Sequence, residues 1–278
     1  MPVPQFTGQE GKKLVIRYAN VNGIRSKSDE VMRWMEDGKA DVVALVETMA
    51  EPSIAECSFC HPAFYKFERL DRDGCQKSTG GGVAIVIRKE FQIRRMVEYE
   101  VVGLEVLWVK VIALPMNLLI GVVYAPGYDS EDFSKLGTSM ERIPPHLTRN
   151  ILMLGDFNCP NISWSDKASR SSERERDLLS LQSEFRLRQK VRQITRERGK
   201  SCPSLVLVFV SQLGLICDAR TIKPAAATND HHGLQFFLMS MTPKIVEREV
   251  SSSCVKLLPA QDGWLPTPSS SLPFGYGS

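Results

Sequence analysis

The chain has 278 residues, of which 43% are hydrophobic and 24% charged, so it can form a globular protein with a substantial core. A net charge of +3 permits a polyanionic partner without requiring one. No window reaches transmembrane length without a polar interruption, which argues against a membrane-spanning protein. The seven cysteines and the polar start of the chain predict reduced thiols in the cytosol or nucleus.

Apolar runs along the chain predict a protein rich in strands. They predict strands at 14–18, 42–46, 83–87, 104–112, 118–124, 151–154, 205–210 and 234–239. Helical spacing of apolar residues predicts helices over 28–36, 130–136 and 173–185. Many strands with few helices between them favour an α+β or layered α/β fold.

The apolar run 151–154 ends in two neighbouring polar side chains, those of Asp156 and Asn158. An all-apolar run is typical of a strand buried on both faces. Side chains at positions i and i+2 of a strand point to the same side, so Asp156 and Asn158 are expected to lie together at a strand tip. Ligands bind at such tips in open α/β sheets. The alternative is a structural Asx-type turn, which these residues also favour.

Other predicted strands also end in, or begin after, polar groups. If the strand at 234–239 is antiparallel to its neighbours, its start lies beside their ends, and the polar residues converge on one rim. These residues are Asn20, Glu47, Tyr124, Asp156, Asn158, Asp230 and His231. Carboxylates with an amide and water suit Mg²⁺, and histidine is the usual proton-transfer or charge-stabilising group beside a phosphate. This chemistry indicates metal-assisted phosphodiester hydrolysis.

Six short motifs follow one another along the chain. They are Asn20-Val-Asn-Gly23, Val46-Glu47-Thr48, Gly80-Gly-Gly-Val-Ala84, Tyr124-Ala-Pro126, Gly155-Asp-Phe-Asn158 and Asn229-Asp-His-His-Gly-Leu234. In their order and rough spacing they resemble the motifs of the endonuclease/exonuclease/phosphatase superfamily. Within it, the chain most resembles the apurinic-endonuclease-like domain of non-LTR retrotransposons. The resemblance implies an α/β (α+β) fold, a four-layer sandwich of two packed mixed β-sheets flanked by helices. We expect this domain over 12–241, followed by a Ser/Pro-rich, disordered tail over 242–278.

The resemblance also implies a role for each matched residue. The implied catalytic residues are Tyr124, Asp156, Asn158 and His231, and the implied metal-binding residues are Glu47, Asn20 and Asp230. Tyr124 would contact the scissile phosphate, Asp156 would position or activate the attacking water, and Asn158 would orient the substrate. The implied cofactor is Mg²⁺, with Mn²⁺ as an alternative. The implied partner is DNA, and the implied location is the nucleus. Neither a membrane nor a protein partner is indicated.

Val206 departs from the family pattern. The family usually carries Leu-Asp-Leu before the last motif, where its aspartate hydrogen-bonds the catalytic histidine, and this chain has Leu205-Val206-Leu207. Without that carboxylate, His231 loses its orienting partner and its imidazolium is less favoured. We therefore expect a fold that tolerates the change and a nuclease activity that is lowered by about 10²–10⁴-fold. Asp218 is a distant candidate substitute.

Basic residues suggest where DNA would lie. The segment 185–200 contains Arg186, Arg188, Lys190, Arg192, Arg196, Arg198 and Lys200. Such a run is often a solvated face, but its place beside the Val206 strand predicts contact with the DNA backbone through Thr195 and Arg196. Arg25, just after the Asn-Gly turn, is a further candidate.

Three functions are therefore considered. The first is a Mg²⁺-dependent endonuclease that nicks one strand of target DNA and leaves a 3′-hydroxyl. The second is a catalytically inactive nucleic-acid-binding relic, which Val206 favours. The third is a phosphatase or phosphodiesterase of the same superfamily, acting on a lipid or inositol phosphate.

Overall fold

The computed structural model describes residues 13–72, 80–114, 116–127, 131–162, 164, 172–191, 193, 195–196, 205–238 and 242–243. The predicted tail beyond Pro243 lies outside the described residues, as do Arg192, Arg198 and Lys200 of the basic segment.

The strands and helices alternate unevenly along the chain, with strands predominating. The strands are β1 (Leu14–Asn20), β2 (Val42–Val46), β3 (Tyr65–Leu70), β4 (Val83–Arg88), β5 (Gln92–Arg95), β6 (Glu105–Leu114), β7 (Leu118–Tyr124), β8 (Ile151–Asp156), β9 (Arg188–Gln189), β10 (Val206–Val210), β11 (Ile216–Ile222), β12 (Gly233–Leu238) and β13 (Thr242–Pro243). The α-helices are α1 (Ser28–Asp37), α2 (Asp132–Glu141), α3 (Pro145–Thr148) and α4 (Glu173–Glu184). Short 3₁₀ turns occupy Glu56–Ser58 and Val97–Tyr99.

Within the described residues, the strands form two mixed sheets. The order in the first sheet is β11-β12-β1-β2-β4-β3. The order in the second is β13-β6-β7-β8-β10-β9, with β5 also paired to β6. The β1–β2 and β7–β8 pairs are parallel, whereas β12 is antiparallel to both β1 and β11. The start of β12 therefore lies beside the end of β1, which is the condition under which the sequence predicted that the polar residues converge.

The core has three layers of apolar contact that separate four layers of structure. Alternate residues of the central strands, such as Ile16 in β1 and Leu154 in β8, face each other between the two sheets. The opposite face of the first sheet packs on α1 through Val31 and Met35. The opposite face of the second packs on α2 and α4. The predicted α/β sandwich of two packed mixed sheets is thus confirmed.

The predicted elements are present, with small shifts at their ends. The helix expected over 130–136 is α2, which the structure places later, at Asp132–Glu141. The strands β3, β5, β9, β11 and β13 were not predicted. The first four carry charged or polar side chains that interrupt the apolar pattern, and β9 and β13 are only two residues long. No helix in the described ranges is both long and apolar enough to cross a membrane.

Candidate active site at the rim between the sheets

Asn20 and Glu47 meet at the ends of two parallel strands. β1 and β2 pair in parallel with Asn20 opposite Val46, so Glu47 follows directly beside Asn20. Asn20 is buried, and its amide nitrogen donates to Oε1 of Glu47 at 2.7 Å. The backbone of Glu47 has a φ of 50°, in the left-handed region that side chains rarely adopt. This turn directs the carboxylate along the rim instead of continuing the strand.

The loop after β2 is fixed by the loops on either side of it. The Glu47 carbonyl accepts from the N–H of Gly23 at 2.8 Å, and the N–H of Thr48 donates to the Gly82 carbonyl at 3.2 Å. A Cβ at Gly82 would lie 2.4 Å from Thr48 Oγ1, and φ at Gly82 is 86°. Only glycine fits this position without strain. The Gly80–Gly82 motif therefore supports Glu47 and is not itself a ligand site.

Asp156 joins the same group from the second sheet. Its Oδ2 accepts from the Asn20 amide nitrogen at 3.3 Å, and its Oδ1 accepts from the N–H of Asn158 at 3.2 Å. Asn20 thus contacts one carboxylate from each sheet. Burial of Asp156, followed by the charge of Glu47, raises the pKa of Asp156 to about 7. This carboxyl group is therefore poised to accept or release a proton near neutral pH.

Tyr124 is directly opposite Asp156 in the β7–β8 register, and its side chain faces the gap between the sheets. Its hydroxyl hydrogen-bonds with Glu47, and burial raises its pKa far above the ordinary range, so it remains a hydrogen-bond donor. Arg72 lies over the Tyr124 ring at 5.7 Å and donates to Glu105 at 2.6 Å. Glu105 also accepts from the N–H of Gly82, so the ion pair connects Tyr124 to the loop that supports Glu47.

Asn158 has a φ of 48°, and its amide nitrogen donates to the carbonyl of Ala125 at 3.1 Å. Arg174, on α4, donates to the same carbonyl at 3.2 Å. The side chain of Asn158 is half-buried, which leaves part of it accessible to a ligand. The Asx-type turn named as the alternative is present, because Asp156 Oδ1 accepts from the N–H of Asn158, and the Ala125 contact joins the ends of β7 and β8 in addition.

His231 completes the group from the start of β12. It is buried, and its Nδ1 lies 3.8 Å from Oδ2 of Asp156, too far for a hydrogen bond. Nδ1 has no hydrogen-bond partner among the described residues. Burial, then the nearby charge of Arg196, lowers the pKa of His231. The neutral imidazole is therefore favoured in the absence of substrate.

Asp230 forms an ion pair with Arg196. Nε and a terminal nitrogen of Arg196 both lie 3.0 Å from its Oδ2. Burial alone would raise the pKa of Asp230, but the hydrogen bond and charge of Arg196 lower it. Of the three predicted metal-binding residues, Asn20 and Glu47 are thus together, whereas Asp230 is engaged with a cation of the protein.

Val206 lies where a partner for His231 would be expected. It is directly opposite Asp156 in the antiparallel β8–β10 pair, and both side chains face the gap between the sheets. Directly opposite side chains have their Cβ atoms about 4.5–5.5 Å apart. A carboxylate at position 206 would therefore be beside Asp156, near the unpaired Nδ1 of His231. Asp218 does not replace it, because it is exposed on β11 near the far end of β12.

The predicted DNA-contacting residues have different surroundings. Thr195 is fully buried, and its hydroxyl accepts from the N–H groups of Leu205 and Val206 at 2.9 and 3.1 Å. Its contacts are with the protein, and they hold the start of β10. Arg196 is partly exposed beside His231. Arg25 is exposed and 3.4 Å from the equally exposed Glu51, a pair that solvent screens.

The donor set is compatible with one divalent cation bound mainly by water. Mg²⁺ keeps several waters and needs only one or two carboxylates from a protein. Glu47 and Asp156 are two carboxyl groups that the Asn20 amide contacts from the same nitrogen. Burial, followed by the charge of Glu47, raises the pKa of Asp156, and a cation between them would offset both effects. Glu47 is the residue best placed to hold such an ion, or Mn²⁺ instead. The described residues contain no group of three or more His, Cys, Asp and Glu that could hold a metal alone.

Two residues of the site were not assigned a role by sequence reasoning. Lys27 donates to Asn229 at 2.7 Å, and Asn229 donates to the carbonyl of Asn20 at 3.0 Å. Lys27 resembles an ordinary surface lysine in the sequence, so no local pattern distinguishes it. Asn229 belongs to a motif that was recognised, but its partners are more than 200 positions away along the chain.

A sequence profile of the endonuclease/exonuclease/phosphatase family matches residues 18–204, so the chain belongs to this family. The matched range includes Asn20, Glu47, Tyr124, Asp156 and Asn158. A comparison with curated protein sequences gives no match.

Solved structures similar to this chain include nucleases and a phosphatase that share its fold. The endonuclease domain of TRAS1, a telomere-specific non-LTR retrotransposon, has a TM-score of 0.64 at 13% identity, and the match covers 82% of this chain and 99% of that one. The AP endonuclease LMAP from Leishmania major has a TM-score of 0.63 at 15% identity, with coverage of 82% and 88%. The 3′ phosphatase NExo from Neisseria, bound to a product DNA hairpin, has a TM-score of 0.60 at 16% identity, with coverage of 81% and 99%. At these identities, the similarity shows the fold alone.

Proposed function

We propose that this chain is a divalent-metal-dependent DNA endonuclease of the non-LTR retrotransposon type, which nicks one strand of its target. Mg²⁺ is the expected ion and Mn²⁺ the alternative. One observation carries the proposal: the Asn20 amide contacts both Glu47 and Asp156 at the rim between the sheets. Tyr124 and His231 border the same point. This is the set of groups that phosphodiester hydrolysis needs.

The proposed roles follow from the contacts of each side chain. A divalent ion bound at Glu47 would polarise a phosphoryl oxygen. Asp156, with a pKa near 7, would orient the attacking water and accept its proton. The protonated Tyr124 hydroxyl would donate to a phosphate oxygen in place of its contact with Glu47. Asn158, held through the Ala125 carbonyl, would fix the orientation of the substrate.

His231 would stabilise negative charge on the phosphate as a hydrogen-bond donor. The pKa of His231 is lowered and its Nδ1 has no hydrogen-bond partner among the described residues. The imidazolium form is therefore less populated than it would be beside a carboxylate. We therefore propose that the activity is present but reduced. The same observation favours the second candidate, a nucleic-acid-binding relic without turnover.

A phosphatase or phosphodiesterase remains the third candidate. One structurally similar protein is a 3′ phosphatase bound to product DNA, which associates phosphomonoester hydrolysis with this fold. That example acts on a nucleic acid, whereas the third candidate would act on a lipid or inositol phosphate. The two kinds of substrate are separable by experiment.

The test compares substrates under one set of conditions. Supercoiled plasmid, 3′-phosphorylated DNA and an inositol polyphosphate are each incubated with the chain in Mg²⁺, Mn²⁺ or EDTA. The proposal predicts nicked plasmid only with a divalent ion, and product ends that a DNA polymerase extends directly. Release of phosphate from the inositol compound without nicking would support the third candidate. Salt-sensitive binding of DNA without any product would support the relic.

A further inference from the structure

Lys27 has three protein acceptors at the rim, between two loops that carry site residues. Its Nζ donates to the carbonyls of Val21 and Asn22 at 2.8 Å each and to Oδ1 of Asn229 at 2.7 Å. An ammonium group has three protons, so each of them has an acceptor. The backbone of Lys27 is also fixed, because its carbonyl accepts from Val31 at the start of α1. This lysine therefore differs from a solvated surface charge.

Asn229 extends the contact to the site itself. It is buried, its Nδ2 donates to the carbonyl of Asn20 at 3.0 Å, and its N–H donates to Ala226 at 3.1 Å. Asp230 and His231 follow it directly in the chain. The lysine and this asparagine thus connect the loop after β1 to the loop before β12.

The position of this contact explains why it is needed. The pairing of β1 with β12 ends at Tyr18 and Leu234, before either loop begins. Beyond that pair, the two loops need other contacts to stay in register. On its other side, the His231 segment is held by the His232 N–H, which donates to the Thr195 carbonyl at 3.0 Å. Val206 offers His231 no hydrogen bond, so the position of His231 depends more strongly on these backbone contacts.

We propose that Lys27 and Asn229 form a clamp that positions His231 and Asp230 relative to Asn20 and Glu47. Both are positioning residues, since they act through the backbone and not on substrate. The catalytic part of this inference rests on the proposed nuclease function. The clamp itself can be tested without nuclease activity, by hydrogen exchange of the loop before β12.

The experiment measures nicking by five variants at several DNA concentrations: Lys27→Met, Lys27→Arg, Asn229→Ala, the double variant Lys27→Met/Asn229→Ala, and Lys89→Met. Lys89→Met is the matched control, because Lys89 is exposed in the β4–β5 turn at the opposite end of the first sheet. A hydrogen bond to a charged group contributes about 1.5–3 kcal/mol. Lys27→Met should therefore lower kcat by about ten- to one-hundredfold, with KM changed by less than about threefold.

The other variants separate a clamp from a general charge effect. The double variant should be no slower than the slower single variant, because both substitutions break one connection. Lys27→Arg should also have a lower kcat than the parent chain, although it keeps the charge, since a planar guanidinium cannot reproduce three contacts made by one nitrogen. Additive losses, full activity in Lys27→Arg, or a Lys27→Met rate equal to that of Lys89→Met would each overturn the clamp.

Hydrogen exchange keeps the inference testable if the chain has no nuclease activity. In Lys27→Met and in Asn229→Ala, amides of residues 226–232 should exchange faster than in the parent chain, whereas Lys89→Met should leave them unchanged. Unchanged exchange in both clamp variants would overturn the clamp. An inactive parent chain with faster exchange in both would contradict only the proposed function.

Discussion

Val206 leaves the site residues in place but is expected to lower the nuclease activity. The side chain is fully buried beside Asp156, and it removes a charge that the sheet would otherwise bury. Valine instead of aspartate at this position stabilises β10, whereas His231 is left with an unpaired Nδ1. Val206→Asp should therefore increase the nicking rate by about tenfold or more. It should also lower the free energy of unfolding by about 1–3 kcal/mol, because a buried carboxylate is added beside another. Steady-state kinetics and thermal melting measure the two effects.

Val206→Asn is the matched control for that substitution. Asn has nearly the same shape as Asp but no charge, so it can accept a hydrogen bond without favouring the imidazolium. It should give a much smaller gain in rate than Val206→Asp. Equal rates for the parent chain and Val206→Asp would show that this position does not orient His231.

Asp156 gives the metal-free protein a pH-dependent stability. Its pKa is raised from 3.8 to about 7, so the folded state binds a proton that the unfolded state releases. Stability is therefore lost as pH increases from about 4 to about 7 and does not fall further above that range. In EDTA, the melting temperature of Asp156→Asn relative to the parent chain should be higher at about pH 8 than at about pH 5. An equal difference in melting temperature between the two proteins at both pH values would contradict the raised pKa of Asp156.

Helix α4 supports the loop that carries Asn158 through its first turn. Ser172 caps the helix by accepting from the N–H of Glu175, and Glu175 accepts in return from the N–H of Ser172. The same Glu175 carboxylate accepts from the N–H of Asn161 at 2.8 Å. The capping box thus holds both the helix start and the segment that follows Asn158.

Loss of this cap should be measurable as a loss of stability. Ser172→Ala should cost about 1 kcal/mol, which lowers the melting temperature of a domain of this size by about 2–4 °C. Ser180→Ala is the matched control, since Ser180 is exposed within the same helix. Alanine is the better helix former there, so the control should melt at the same temperature or slightly higher. A Ser172→Ala variant as stable as the control would contradict the capping role.

The strands that the sequence predicted are those buried along most of their length. β2 and β7 consist entirely of buried residues, and their predicted and observed bounds agree. β3 and β5 mix charged and apolar side chains, and each pairs with the next strand in its sheet instead of lying at the centre. An exposed edge strand does not need an apolar pattern, so its sequence carries little signal.

The site was more predictable than the contacts that hold it. Strand ends and the antiparallel entry of β12 were enough to predict that Asn20, Glu47, Asp156 and His231 would lie together. The ion pair that engages Asp230 and the clamp of Lys27 depend on loop geometry, which no local pattern specifies. Burial of Thr195 is of the same kind: a threonine in a basic segment gives no sign that its hydroxyl holds the start of β10.

The central claim is that Glu47 provides the metal-dependent step at the rim. The measurement that tests it most directly is plasmid nicking in Mg²⁺ by the parent chain, by Glu47→Ala and by Glu90→Ala, with DNA binding measured for each. Glu90 is an exposed glutamate in the β4–β5 turn, away from the rim. We predict that Glu47→Ala abolishes nicking while it still binds DNA, and that Glu90→Ala nicks at the parent rate. Nicking by Glu47→Ala at the parent rate would contradict the claim.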